Sequence, residues 1–289
     1  MLTKHAESIK KLPSWLYKLG SQIYIDRMYP RHLFIETTAK CNLDCSYCPR
    51  EKVDDHMDFR LFQSIVDEAS IYGSRSFSLH LFGEPMLYPN FLEACQYIRH
   101  KNKQHTILLT TNGTMLNSRV DELIQANPNK AIWSWRPEVK FKEETLRKLK
   151  AWGKFTVRII RELTPEEEVS KWKKWPSVEY RNIHNYGGDI DAGLWRKTKP
   201  KEVKRWPCYH LWMAPAVAWN GDILLCCVDP HRKEVLGNLK DTTVGQVWRG
   251  KSIESIRESH LKGEFKGICA NCDSWKVYPD IFFEQQKGY

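Results

Sequence analysis

The chain has 289 residues, of which 42% are hydrophobic and 28% are charged, and this composition excludes intrinsic disorder as its main state. The sequence contains neither the roughly 20 consecutive apolar residues of a membrane helix nor an apolar signal segment, so we expect a cytoplasmic protein without a membrane partner. A net charge of +10 favours anionic partners but does not choose between nucleic acid, an acidic protein and a phosphorylated metabolite.

Six short segments of β-type composition alternate with helical segments between residues 33 and 183. The first helical segment starts after Asp58, a favourable N-cap, and carries apolar residues at helical spacing from Phe62 to Ala69. This alternation predicts an α/β fold with a parallel sheet, and six units favour a partial (β/α)6 TIM-like barrel. The predicted strands are Leu33–Thr37, Ser76–Leu81, Thr106–Thr111, Ala131–Trp135, Thr156–Arg161 and Val178–Asn182, and the further helical segments are Phe91–Ile98, Val120–Ile124 and Leu146–Trp152.

The pattern changes after residue 190. A basic linker, Leu194–Lys204, leads into a β-hairpin whose turn is indicated by Asn220-Gly221. A helix is predicted around Val244–Leu261, and a Cys-x-x-Cys motif follows it. We therefore predict two domains: residues 1–190, with an N-terminal helical extension over residues 1–32, and a smaller C-terminal domain of a β-hairpin plus a helix over residues 191–289.

Nine cysteines carry the main functional signal. A chain of this length in a reducing compartment does not need disulfides, so these cysteines are metal ligands, reactive thiols or core residues. Cys41, Cys45 and Cys48 follow the first predicted strand, at the edge where open parallel sheets place their sites. Three neighbouring thiolates can hold three irons of a [4Fe–4S] cluster and leave the fourth iron open, whereas a zinc site usually has four protein ligands.

The Cx3CxxC spacing, with the aromatic residue Tyr47 before its last cysteine, resembles the signature of the radical S-adenosylmethionine (SAM) enzymes. After the second strand, Gly83-Glu84-Pro85 resembles the family motif that holds the SAM amino group. The resemblance covers about residues 33–190. The remaining SAM contacts that it implies are Asn112, Ser134 and either Arg158 or Arg161, whose guanidinium would neutralise the SAM carboxylate.

This resemblance implies a defined chemistry. A reduced cluster cleaves SAM to methionine and a 5′-deoxyadenosyl radical, and the radical abstracts a hydrogen atom from an unactivated C–H bond. The protein positions the target carbon and excludes water. A flavodoxin- or ferredoxin-type protein would supply the electron, and such acidic donors could use part of the positive charge.

A second group of cysteines consists of Cys208, Cys226, Cys269 and Cys272. On spacing alone, these four residues could bind zinc or an iron–sulfur cluster. Their order, Cys-x12-Gly-x4-Cys followed by Cys-x2-Cys, resembles the auxiliary-cluster domain of the radical SAM family, called SPASM or, when shortened, twitch. No cysteine follows Cys272, so the resemblance implies one auxiliary [4Fe–4S] cluster.

Two cysteines lie outside these groups. Cys227, beside Cys226, could be a small buried hydrophobic residue, an alternative ligand to Cys226, or a catalytic thiol. In radical SAM epimerases, which this part of the chain resembles, such a thiol donates a hydrogen atom to the substrate radical. Cys95 has helical spacing with Leu92 and Ile98 and is predicted to lie in the core.

The sequence therefore predicts a radical SAM enzyme with two [4Fe–4S] clusters that oxidises or epimerises a polar substrate. The loop Tyr186-Gly187-Gly188-Asp189 resembles one found in aminocyclitol-oxidising members of the family, which favours a carbohydrate or aminocyclitol, although Tyr186 stands in place of a basic residue. A maturase that modifies a ribosomally made peptide is the alternative within the family. A zinc-bearing nucleic-acid-binding protein is the alternative of another class.

Overall fold

The computed structural model describes residues 26–194 and 205–276, and at its centre is a sheet of parallel strands. Each of the first six strands begins within one residue of its predicted start and pairs with its neighbour in chain order. The predicted parallel α/β arrangement is confirmed. The strands are β1 (His32–Ile35), β2 (Ser76–Ser78), β3 (Thr106–Thr111), β4 (Lys130–Ser134), β5 (Phe155–Ile160) and β6 (Val178–Arg181).

Helices alternate with these strands and share one apolar core with them. Strand residues such as Leu33 and Ile107 are fully buried together with Phe62 and Ile98 from the helices. Burial of this apolar surface is the main force that holds the helices on the sheet. The helices are α1 (Phe59–Ile71), α2 (Phe91–Lys101), α3 (Leu116–Ala126), α4 (Glu143–Trp152) and α5 (Glu166–Trp172).

The ends of two helices show what local sequence could and could not indicate. Asp58 caps α1 as predicted, because its carboxylate accepts hydrogen bonds from the backbone N–H groups of Arg60 and Leu61. Helix α5 was not predicted. It is short, and Trp172 is its one buried residue, so it lacks an apolar repeat.

The C-terminal part extends the same sheet beyond β1. Strand β7 (Ala216–Val217) pairs parallel to β1, and β8 (Asp222–Leu224) and β9 (Val235–Asn238) follow in antiparallel order. The predicted hairpin is present, but it has a third strand that the sequence did not indicate. The division into domains at residue 190 stays a prediction, and in this structure one nine-stranded sheet runs through both parts.

The predicted C-terminal helix is two helices, α6 (Val244–Trp248) and α7 (Lys251–Leu261). Gly250 adopts an extended conformation between them, which ends one helix and starts the next. The first 25 residues of the predicted N-terminal extension and residues 195–204 of the basic linker lie outside the described residues. None of the helices in the described ranges is long and apolar enough to cross a membrane.

Candidate iron–sulfur and SAM site

Three free thiols lie in the loop that follows β1. Cys41, Cys45 and Cys48 are each partly buried, and the backbone N–H of Cys48 donates to the carbonyl oxygen of Cys45 at 2.9 Å. The Arg50 guanidinium donates to the carbonyl oxygens of Cys41 (3.2 Å) and Leu43 (3.3 Å). These hydrogen bonds connect the two ends of the loop, so the three thiols are held on one short, closed segment.

The chemistry of this donor set fits an iron–sulfur cluster. Burial raises the pKa of Cys41 and of Cys48, and the neighbouring thiols Cys45 and Cys41 raise the pKa of Cys48 further. Adjacent thiolates repel one another unless a cationic centre compensates for their charge, and iron supplies that compensation.

Glu84 and Asn112 connect this loop to the end of β3. The Asn112 side-chain amide donates to the Sγ atom of Cys41 at 3.8 Å, and its backbone N–H donates to Glu84 Oε2 at 2.6 Å. Glu84 Oε1 accepts from the Thr111 hydroxyl (2.7 Å) and from the backbone N–H of Met86 (3.1 Å). Glu84 is only 2% exposed. Its carboxylate is therefore a brace between the loop after β2 and the end of β3.

The neighbours of Glu84 explain the rest of the Gly-Glu-Pro motif. A Cβ atom on Gly83 would lie 1.9 Å from the carbonyl oxygen of Thr38, so only glycine permits this close approach to the end of β1. The backbone N–H of Glu84 donates to the carbonyl oxygen of Lys40 at 2.8 Å. Pro85 then starts a single 3₁₀ turn. The motif is thereby packed directly against the residues that precede Cys41.

Arg136 is a residue of this site that the sequence analysis missed. Its guanidinium lies 5.3 Å from the centre of the Tyr47 ring and donates to the carbonyl oxygen of Ser134 at 3.3 Å. Burial opposes its charge, but Tyr47 and Cys45 raise the pKa of Arg136 overall. The available signal was its position two residues after β4, at the edge of the sheet where β1 also places its loop.

The two arginines that the resemblance implied as SAM contacts bind other groups. The Arg158 guanidinium pairs with Glu179, which also lies near Lys130 (3.6 Å) and Arg181 (3.8 Å). Burial raises the pKa of Glu179, but these cations outweigh it and lower the pKa to about 2. Arg161 lies over the Tyr180 ring, 4.8 Å from its centre. A SAM contact by either arginine stays a prediction.

The second group of thiols lines one pocket. Cys208, Cys226, Cys269 and Cys272 all border it, although they come from three separate segments. Burial raises the pKa of Cys208, Cys272 and Cys269, that of Cys269 to about 12, and Cys226 raises all three further. The pKa of Cys226 is raised first by its hydrogen bond with Cys227 and then by burial. Four thiols around one pocket fit a cationic cluster, because the cluster would compensate for the charge of the thiolates that bind it.

Backbone groups and a cation support this pocket. The backbone N–H of Ser274 donates to the Sγ atom of Cys272 at 3.4 Å. The Arg205 guanidinium donates to the carbonyl oxygens of Cys269 and Ala270. In the described ranges, no three His, Cys, Asp or Glu side chains are arranged to hold a single metal ion.

The two remaining cysteines differ in their surroundings. Cys95 is fully buried in α2, as predicted. Cys227 is partly buried and packs both against the apolar residues of the four-cysteine pocket and against a small cluster of Ala216, Ala218 and Leu224. Cys227 therefore lies between the second group of thiols and the hairpin of β7 and β8.

A tight turn at Tyr186–Gly188 joins the two cysteine sites. Tyr186 itself has a φ of 48°, which is uncommon for a residue with a side chain. Its ring packs against the apolar residues of the four-cysteine pocket, and its centre lies 6.1 Å from that of the Phe82 ring, directly before the Gly-Glu-Pro motif of the first site. On the other side of the turn, Asn185 donates to the carbonyl oxygen of Asn271 at 2.7 Å, inside the Cys-x-x-Cys segment.

Comparison with known proteins identifies both parts of the chain. Residues 35–132 match the family model of the radical SAM superfamily, and residues 208–273 match that of the SPASM iron–sulfur cluster-binding domain. Together the two matches cover more than half of the chain. Both matches support the prediction of a radical SAM enzyme over the alternative of a zinc-bearing nucleic-acid-binding protein.

Curated and solved proteins show the same similarity. The SAM-dependent 2-deoxy-scyllo-inosamine dehydrogenase of Niallia circulans is 22% identical over 255 residues, which cover 84% of this chain and 92% of the relative. BtrN in complex with AdoMet and 2-DOIA aligns with a TM-score of 0.64 at 21% identity, over 84% of this chain and 92% of BtrN. Streptococcus suis SuiB bound to its precursor peptide SuiA aligns with a TM-score of 0.62 at 15% identity, over 86% and 71% of the two chains.

These structural neighbours confirm the predicted partial TIM barrel. The two domain matches imply SAM and iron–sulfur clusters as cofactors. The chain is a radical SAM enzyme: it belongs to the radical SAM superfamily and carries a C-terminal SPASM iron–sulfur domain.

Proposed function

We propose that this enzyme uses SAM and two [4Fe–4S] clusters to abstract a hydrogen atom from a C–H bond of a carbohydrate- or aminocyclitol-type substrate, for oxidation or epimerisation. Residues 1–190 would form the SAM-cleaving part and residues 191–289 the auxiliary-cluster part. Cys41, Cys45 and Cys48 would hold the first cluster, and Cys208, Cys226, Cys269 and Cys272 would hold the second.

The observation that carries the proposal is the position of Tyr186. Its ring packs against the four-cysteine pocket of the second site and lies 6.1 Å from the ring of Phe82, which directly precedes the Gly-Glu-Pro motif of the first. A substrate held beside this turn would lie between the two groups of thiols. That placement suits a reaction in which the 5′-deoxyadenosyl radical is formed at the first site and the substrate radical is converted to product near the second.

The bound cofactors would supply the 5′-deoxyadenosyl radical and, in an oxidation, an acceptor for the electron that the substrate releases. The chain's own residues would position the reactants. Arg136, next to Cys45 and Tyr47, is suited to bind the SAM carboxylate as a bidentate donor. Gly83 and Pro85 would shape the site through close packing and the turn that they start. Asn112 and Ser134 would do so through hydrogen bonds, and Glu84 would brace the site.

The role of Cys227 would decide whether the product is an epimer or an oxidised compound. It lies beside the four-cysteine pocket and packs against the small buried cluster of the β7–β8 hairpin, against which Phe34 and Leu81 of the barrel part also pack. A thiol there could give a hydrogen atom to a substrate radical, and this step would leave an epimer. Without that step, loss of a proton and an electron would leave a ketone or aldehyde. The similarity to a dehydrogenase favours oxidation.

A peptide maturase is the second candidate. It is supported by the TM-score of 0.62 to SuiB, which was solved with its precursor peptide. Conversion of 2-deoxy-scyllo-inosamine by the purified enzyme would support the small-molecule proposal. A mass change in a co-encoded peptide, with the inosamine untouched, would support the maturase. In either case we expect an acidic flavodoxin- or ferredoxin-type electron donor.

The cofactor assignment is tested by anaerobic reconstitution. We expect about eight irons per chain and the broad visible absorbance of iron–sulfur clusters. The triple variant Cys41→Ala, Cys45→Ala, Cys48→Ala should keep about four irons and form no 5′-deoxyadenosine from SAM and dithionite. Cys95→Ala is the matched control, because this buried thiol belongs to neither site, and it should keep all the iron. Unchanged 5′-deoxyadenosine formation in the triple variant would refute the assignment.

The outcome at the substrate carbon is tested by turnover of 2-deoxy-scyllo-inosamine in deuterated water, with wild type and Cys227→Ala. Deuterium at the substrate carbon that disappears in the variant would assign hydrogen donation to the Cys227 thiol. A ketone without deuterium, formed equally by both proteins, would assign oxidation and exclude that role for Cys227.

A further inference from the structure

A small cavity lies where the end of β1 meets β7 and β8. Its free volume is about 20 Å³, and its walls include Glu36, Ala39, Phe82 and Trp219. A volume of this size holds one water-sized group, such as a single hydroxyl or ammonium. Ala39 lies two residues before Cys41, and Phe82 directly precedes the Gly-Glu-Pro motif. The cavity therefore adjoins both motifs of the SAM site.

Glu36 is the buried charged group of this cavity. The side chains of β1 alternate, so Leu33 and Ile35 pack into the core beneath the helices while Glu36 lies on the other face. Glu36 is 6% exposed. Its Oε1 accepts from the backbone N–H of Phe82 at 3.3 Å, and its Oε2 accepts from that of Trp219 at 3.4 Å. Both bonds are long, and each carboxylate oxygen keeps a further lone pair.

No cationic side chain in the described parts of the chain forms an ion pair with Glu36; the nearby Arg232 guanidinium binds Glu51 instead, at 2.6 Å. Burial raises the pKa of Glu36 to about 7, and its backbone hydrogen bonds and the charge of Arg232 offset this only in part. A positively charged group on a bound ligand would therefore favour the ionised form of the Glu36 carboxyl.

The other walls of the cavity favour the same kind of ligand. Glu51 and Asp229 also border it, and Arg232 is the one cation among its lining residues. Three carboxyls against one guanidinium make the cavity locally acidic in a chain whose net charge is +10. The aromatic residues Phe82 and Trp219 also border the cavity, and aromatic ring faces attract cations. A phosphate or carboxylate would meet repulsion here, whereas an ammonium would meet attraction.

We propose that Glu36 binds an ammonium group of the substrate in this cavity, so that the enzyme acts on an amine-bearing compound. The inference rests on the proposed function, since it narrows the polar substrate of that site to an amine. The cavity holds the amino group alone. The ring or chain that carries this group would extend from the cavity toward the SAM site, past Ala39 and Phe82.

The test compares two ligands that differ only in this group: scyllo-inosamine, which carries one amine, and scyllo-inositol, which carries a hydroxyl in its place. Binding to the reconstituted, SAM-loaded enzyme is measured by anaerobic titration calorimetry. Wild type should bind scyllo-inosamine about tenfold more tightly or better, because one charge-assisted hydrogen bond is worth at least that factor. Glu36→Gln should remove the preference and leave the affinity for scyllo-inositol within about twofold.

Two further variants make the result specific. Glu36→Asp keeps the charge on a shorter side chain and should retain part of the preference. Glu93→Gln removes an exposed carboxylate on α2 and should retain all of it. A wild type that binds both ligands equally would overturn the inference. A Glu36→Gln variant that keeps the preference, or that loses both affinities in parallel, would overturn it as well, since Glu36 would then act only as a brace.

Iron content and reductive SAM cleavage are measured on the same samples. Normal values for both, without any amine preference, would overturn this inference and leave the proposed function in place. Loss of SAM cleavage in wild type would instead count against the proposed function itself.

Discussion

Replacing Glu84 with glutamine should loosen the end of β3, where Asn112 meets the three-cysteine loop. Both carboxylate oxygens of Glu84 accept hydrogen bonds from backbone N–H groups, one from Met86 and one from Asn112, and Oε1 also accepts from the Thr111 hydroxyl. Glutamine offers one oxygen and one NH2 group. Either orientation of the amide therefore leaves a buried backbone N–H facing another donor.

The magnitude follows from these contacts. The variant loses one charge-assisted hydrogen bond and leaves one buried donor without an acceptor, which together cost about 3–5 kcal/mol. Burial raises the pKa of Glu84, so removal of its charge returns part of this free energy. We therefore expect a net local loss of about 2–3 kcal/mol, which corresponds to roughly 30- to 150-fold faster opening of the Asn112 amide.

The assay is hydrogen–deuterium exchange of the peptide that contains Asn112, followed by mass spectrometry. Glu93→Gln is the matched control, since Glu93 is exposed on α2 and its change should stay within about 0.5 kcal/mol. Binding of SAM to the reconstituted variant should weaken in parallel. Exchange at Asn112 that rises less than threefold in a folded Glu84→Gln protein would refute the brace assigned to this carboxylate.

Three further changes have defined outcomes. Glu179→Gln should lower the free energy of unfolding by about 3 kcal/mol in thermal denaturation, because three cations lose their shared anion. Since the pKa of Glu179 is lowered from 4.5 to about 2, this contribution is complete above pH 4.5 and is lost as the pH falls toward 2, so the variant and wild type should converge in acid. Gly83→Ala should fold poorly, as its Cβ would lie 1.9 Å from the Thr38 carbonyl oxygen; a soluble yield equal to wild type would contradict this packing. Asn185→Ala should speed amide exchange at Asp273 by about tenfold, because a side-chain hydrogen bond of 3.1 Å is lost, and unchanged exchange would show that the turn does not hold the Cys-x-x-Cys segment.

Local sequence patterns were sufficient to predict those elements whose conformation is decided by neighbouring residues. The six strand starts, the cap at Asp58 and the turn at Asn220-Gly221 all depend on periodicity, a side-chain acceptor or a glycine within a few residues. Prediction failed for elements without such a signal. Helix α5 buries only Trp172, and β9 is a short strand of partly or fully exposed residues that gains its order from pairing with β8.

The functional residues divide in the same way. Cysteine spacing indicated both thiol groups: the first lies on one loop, where ligands are close in sequence as well as in space, and the second was indicated by its resemblance to a known cysteine pattern. The choice of arginine was decided by tertiary structure: Arg158 meets Glu179 from the next strand, whereas Arg136 reaches Tyr47, almost ninety positions earlier in the chain. Glu36 has no sequence signal at all.

The sequence by itself therefore determined the superfamily and the order of the six parallel strands, and it predicted the seven cysteines that would hold the clusters. Only the tertiary structure decided how the two halves meet: β7 pairs with β1 across some 180 residues, and the turn at Tyr186 packs against the Cys-x-x-Cys segment. The physical reason is that cysteine spacing, helix caps, turn residues and the periodicity of apolar residues depend only on residues that are close in sequence. Pairing of charges, burial of a carboxyl and the joining of sheet edges depend on residues that only folding brings together.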